Sequence, residues 1–216
     1  MPKESINTLA KAALFFFLTY HSYVKGNIAI QDQALLACIN EHAEQNLVPI
    51  ERLEKLKCHG KDIESLKGIE SLTKLEHLSL YSNQISQADL SALKALTYLN
   101  LANNRLKSLH IQGLNHLETL YLFKNNLTHL NVSGLIGLKK LRMTENRLQS
   151  LEMSDLVSLE EAYLWDNQLE DLDITALDKL TFLDVKQNPM PDELYDFFDE
   201  QSGITISHDG NADDWK

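Results

Sequence analysis

Two cysteines in 216 residues are too few for a disulfide-rich scaffold, although enough for one bridge. The chain has no Gly-rich phosphate loop, no H-E-x-x-H, no G-x-S-x-G and no paired C-x-x-C, which removes the sequence signatures of the commonest enzyme classes. Its eight histidines are scattered and form no ligand constellation, so we expect no metal, no cofactor and no catalysis. The stretch Asp209-Gly-Asn-Ala-Asp213-Asp214 lacks the alternating oxygen ligands and distal Glu of a calcium loop. No apolar run is long enough to span a bilayer, which takes roughly 20 residues; the most apolar, Ala12-Ala-Leu-Phe-Phe-Phe-Leu18, is far shorter. Positive charge is also in deficit. With 20 Lys and Arg against 31 Asp and Glu, the net charge of -11 disfavours nucleic acid, whose backbone is bound mainly by cations.

What the chain does have is a period. The frame L-x-x-L-x-L-x-x-N-x-L starts at Leu53, Leu75, Leu96, Leu117, Leu138, Leu159 and Leu180, at spacings of 22 and then 21 residues. Recurrence at this interval is the signature of a leucine-rich-repeat solenoid. We expect seven repeats over residues 53–190, each opening with a short strand, so that the strands pair into a curved parallel sheet on the concave face. Leucines at the fourth and sixth places point inward. Asn83, Asn104, Asn125, Asn146, Asn167 and Asn188 form a ladder in which an amide, with both donors and an acceptor, can satisfy backbone groups of adjacent turns. The short return segments leave room only for extended or single-turn structure.

The ends of a repeat stack need covers. Residues 27–52 supply a helical N-terminal cap: Leu35, Leu36, Cys38, Ile39 and Ala43 recur at helical spacing, and Asp32 can cap the start. Residues 1–26 form either a signal peptide or an apolar cap helix, and the reading favours export to the periplasm, cell surface or exterior over a cytoplasmic location. At the other end, residues 191–216 are expected to give a short helix from Pro191, a closing strand at Ile204-Thr-Ile206 and an acidic tail; the two isoleucines lie 21 residues after Leu183 and Val185. Charge is uneven along the molecule, with 14 basic and 9 acidic groups in residues 51–150 but 3 and 18 in residues 151–216.

The repeat frame, together with Leu56-Lys-Cys58, Ile63 and Leu66-Lys-Gly68-Ile-Glu70-Ser-Leu72, resembles bacterial leucine-rich-repeat proteins of the internalin-like type over residues 31 to about 190. The resemblance implies a helical N-terminal cap, protein binding through the concave sheet and, in many members, export. It also implies that Cys38 on the cap helix and Cys58 on the first strand can be linked; the alternative is two buried free thiols.

The outward strand positions carry the functional signal. Between Leu75 and Met190 there are seven aromatic residues, Tyr81, Tyr98, Tyr121, Phe123, Tyr163, Trp165 and Phe182, and all occupy concave places of the frame. Tyr121, Arg142 and Tyr163 share one column, and Phe123, Thr144 and Trp165 the next. Rings beside an Arg are the usual material of interface hot spots, while rings also suit pleated surfaces for packing alone. Glu160, Glu161, Asp166 and Asp184 extend the patch, one repeat after Lys139 and Lys140. The expected function is a monomeric, non-catalytic module that binds a protein ligand on this face. A structural or regulatory scaffold inside the cell and a glycan binder are the alternatives.

Overall fold

The computed structural model describes residues 29–210. The signal-peptide reading of residues 1–26 and the end of the acidic tail lie outside that range. The chain enters through helix α1, Gln33–Asn46, whose first turn is capped by Asp32: its Oδ1 accepts from Leu35 N at 3.0 Å, while Oδ2 accepts from Glu64 N and Ser65 N at 2.8 and 3.1 Å. One carboxylate thus starts the helix and ties it to the first repeat. Burial pushes that carboxyl upward, but the backbone N–H groups outweigh it and hold it below its usual value. The buried face of α1, formed by Leu35, Cys38, Ile39 and Ala43, packs on the first strand, and a disulfide joins Cys38 to Cys58.

Strands follow at one per turn: β1 (Lys55–Lys57), β2 (His77–Ser79), β4 (Tyr98–Asn100), β6 (Thr119–Tyr121), β7 (Lys140–Arg142), β8 (Glu161–Tyr163), β9 (Phe182–Asp184) and β10 (Thr205–Ser207). They form a single parallel sheet of eight in that order. Lys55, His77, Tyr98, Thr119, Lys140, Glu161 and Phe182 stand in register, each at the third place of its frame. The regular strands cover only the third to fifth places, yet the ladder continues past them, as in Leu80 N to Asn100 O and Ser82 N to Ala102 O. Behind the sheet the leucines of successive turns stack; Leu117, Leu120, Leu122 and Leu127 have no exposed surface. The return side is mostly turns, with a single 3-10 turn at Ile69–Ser71 in the first unit. Strands β3 (Gln87–Asp89) and β5 (Ser108–His110) pair in parallel to make a second, two-stranded sheet.

Each ladder Asn bridges two turns. Asn125 accepts from Leu106 N at 2.9 Å and donates through Nδ2 to Leu101 O in the preceding turn and Leu122 O in its own, at 3.0 and 2.9 Å. Asn104, Asn146, Asn167 and Asn188 repeat this pattern. In the first unit, where Lys61 stands in place of Asn, Asn83 accepts from both Lys61 N and Ile63 N. The residue before each Asn lies in the left-handed region: Ser82, Asn103, Lys124, Glu145, Asp166 and Gln187 have φ between 55° and 59°. Most of these residue types do not favour that conformation, so the constraint comes from the ladder.

The C-terminal turn departs from the sequence expectation. Ile206 is level with Leu183 and Thr205 with Phe182, so the closing strand sits two residues later than a 21-residue period predicts. The reason is helix α2, Asp192–Asp199, which lengthens the last return segment. Its Tyr195 and Phe198 are buried, and Tyr195 OH donates to Asn188 O at 3.0 Å. Aromatic rings therefore fill the C-terminal cap, although none fills the repeats. Asp209 ends the ladder, its carboxylate accepting from Gln187 N where the next turn's carbonyl would stand.

Removing one rung should be costly. Asn125→Ala leaves the buried Leu106 N–H without a partner and takes one of two amide donors from Leu101 O and Leu122 O, which Asn104 and Asn146 still reach, and is expected to lower unfolding free energy by about 1–3 kcal/mol, read from urea denaturation. An unchanged midpoint would contradict the bridging role.

Candidate functional site

The third, fifth and seventh places of each frame put side chains on the open face of the eight-stranded sheet, with adjacent strands about 4.8 Å apart. At that spacing rings in neighbouring strands touch. His77 and Tyr98 are stacked with centroids 4.1 Å apart, and Tyr98 meets Tyr121 edge-on at 5.8 Å. A second row begins with His59 edge-on to Tyr81 at 6.2 Å, and Tyr81 reaches Phe123 at 6.3 Å across the small Ala102. Tyr163 and Phe182 lie 5.0 Å apart. Tyr81 is exposed and the other six rings of the repeats are half-buried, each resting one side on the sheet.

Cations join these rows. The Arg142 guanidinium sits over Phe123 at 4.6 Å and near Tyr163 at 5.9 Å, and Lys140 lies 5.5 Å from the Tyr163 centroid. Lys140 Nζ pairs with Glu161 Oε2 at 2.5 Å, and Tyr163 OH donates to the same carboxylate oxygen at 2.9 Å. The Lys140 hydrogen bond, opposed by burial and helped by Tyr163, holds the Glu161 carboxyl below its usual value and raises the lysine. Burial, then the Glu161 hydrogen bond, pushes Tyr163 up. At the N-terminal end, burial followed by the charge of Lys57 lowers both His59 and His77. Those two imidazoles therefore favour the neutral form, and His59 shares a 2.7 Å hydrogen bond with Ser79 Oγ.

Tyr98, Tyr121, Phe123, Arg142, Tyr163, Trp165 and Phe182 lie on this one face, with Tyr81 and the two histidines extending it toward β1. Thr144 is different. The column Phe123, Thr144, Trp165 reads as a continuous exposed strip in sequence, but Thr144 has no exposed surface and its hydroxyl has no hydrogen-bond partner. From sequence His59 and His77 fall on the concave edge and Lys140 in the charged part of the patch; their contacts with the rings are what the structure adds. The convex side carries a groove of mixed polar and apolar lining, among it Ser65, Lys67, Glu70, Ala88, Asp89 and His110, with no Phe, Tyr or Trp in it. Among the described residues the one His and Cys cluster, Cys38, His42 and Cys58, has its two sulfurs committed to the disulfide. Among the described residues no helix is long and apolar enough to cross a membrane.

Substituting Lys140→Met should let the Glu161 titration rise toward its usual 4.5, followed by carboxyl NMR. A carboxylate lowered in this way contributes stability above its unfolded-state pKa, and the contribution is lost as pH falls through the lower folded value. Because both partners are about a third exposed, that contribution is at most about 1 kcal/mol. A titration identical in the variant would mean that the pair does not form in solution.

The family model described as the leucine-rich-repeat domain of the endo-beta-N-acetylglucosaminidase EndoS matches residues 30–166. A search of curated proteins finds no significant match. Among solved structures, internalin C2 from Listeria monocytogenes superimposes with a TM-score of 0.57 at 23% identity, covering 84% of this chain and 95% of that one. The TLR13–ssRNA13 complex gives 0.55 at 26% identity over 62% of this chain and 22% of that one. The functional domain of InlJ from Listeria monocytogenes gives 0.40 at 20% identity over 75% of this chain, which spans about half of that domain's length, 54%.

Proposed function

The chain belongs to the leucine-rich-repeat family typified by the EndoS domain, and from that premise we propose that it is a non-catalytic recognition module binding a protein ligand on the concave sheet. The observation that carries this reading is the placement of every ring of the repeats on one face, most of them in contact with a neighbouring ring and Phe123 and Tyr163 also holding Arg142, while the core of the repeats is filled by aliphatic side chains. Rings held this way have little rotational freedom left to lose, and they bring large contact area to a partner. Packing between cross-strand neighbours accounts for some of the contacts. It does not account for the exclusion of rings from the core of every repeat.

Two features bear on the setting. The Cys38–Cys58 disulfide supports an oxidising compartment, hence export, over a cytoplasmic scaffold role. The net charge of -11 and the acidic C-terminal half weigh against nucleic acid, although RNA is part of the TLR13 complex named above. A glycan is the second reading, favoured by the same rings and by the glycosidase whose domain names the family. Solvent-facing aromatics stack on sugars as readily as on apolar side chains.

The triple variant Tyr121→Ala, Tyr163→Ala, Trp165→Ala should lose partner capture while its melting temperature stays close to that of the native chain. Retained capture rejects the concave site. A glycan array probed with the native chain separates the second reading, since specific binding there would displace the protein-ligand proposal.

A further inference from the structure

We propose that the concave site receives a partner segment carrying a single carboxylate among apolar side chains, and that Arg142 binds that carboxylate; this rests on the reading of the face as a protein interface. The cations around Arg142 are already neutralised. Lys140 pairs with Glu161, Lys139 with Glu118 at 3.1 Å and Lys124 with Glu145 at 3.6 Å. Among the described residues Arg142 has no carboxylate and no hydrogen-bond acceptor, and it is held only by the Phe123 and Tyr163 rings. It is exposed. A guanidinium held by ring faces keeps its N–H donors available in a planar fork that matches a carboxylate.

The surroundings limit the ligand to one isolated charge. Glu160, Glu161 and Asp166 on the next turn and Asp184 beyond it would repel a polyanion, whereas Tyr121, Phe123, Tyr163 and Trp165 offer apolar contact on either side of the anion. An acidic side chain flanked by aromatic or aliphatic neighbours in a peptide meets both conditions. A sulfated or phosphorylated polymer does not.

The test is selection of peptides from a random phage-displayed library on the full chain, followed by fluorescence anisotropy of the enriched sequences. Enrichment of Asp or Glu flanked by apolar residues is expected. Changing that residue to its amide, or Arg142→Gln in the protein, should weaken binding roughly tenfold or more, with Arg142→Lys intermediate. Peptides that lose binding to the triple ring variant but keep full affinity for Arg142→Gln overturn this inference and leave the concave interface standing. Failure to select any peptide sensitive to the ring variant overturns both. Arg142-dependent binding to sulfated glycans without carboxylate-bearing peptides also overturns it.

Discussion

A buried amide that serves two turns at once governs the rest of this molecule. Each ladder Asn has one oxygen and two N–H hydrogens, and all are engaged: the oxygen by an N–H of the preceding turn, the hydrogens by carbonyls of the preceding turn and its own. A slip of one residue between turns would break these bonds together and turn the leucines outward. The constant period follows from that requirement. Variation is tolerated only where the ladder is not yet built or has ended: the first unit has 22 residues and Lys61 in place of Asn, and the last return segment carries α2.

The same constraint imposes strain one place earlier. Six non-glycine residues before the ladder Asn adopt a left-handed backbone, a conformation that costs on the order of 1 kcal/mol or more apiece. Nothing in their side chains announces it, because Ser82, Lys124, Glu145 and Gln187 share no turn preference. The conformation is a property of neighbouring turns, since the N–H of each is received by the next turn or, at the end, by Asp209. It is therefore invisible to a reading of local residue preferences. The closing strand shows a related limit. Ile204 and Ile206 fit the 21-residue period by eye, but the length of α2 displaces the register by two.

The repeat itself was legible because a leucine frame recurs seven times and alternation along a strand assigns each residue to one face or the other. For that reason the ring columns could be placed before any coordinates. The distances within them could not. The stacking of His77 on Tyr98, the neutralisation of Lys140 by Glu161, the isolation of Arg142 and the burial of Thr144 depend on side-chain conformations a column diagram does not contain. The pairing of Cys38 with Cys58 entered through a family resemblance, since two cysteines 20 residues apart do not by themselves imply proximity.

Leucines and asparagines hold the stack, and on the proposed reading the concave rings serve recognition more than stability. Amide hydrogen exchange at Leu106, whose N–H is bound by Asn125, tests that separation most directly. In a chain stripped of the concave rings at Tyr121, Tyr163 and Trp165, the account predicts exchange as slow as in the native protein. Faster exchange there would mean that the rings are structural and that the face is not free to bind.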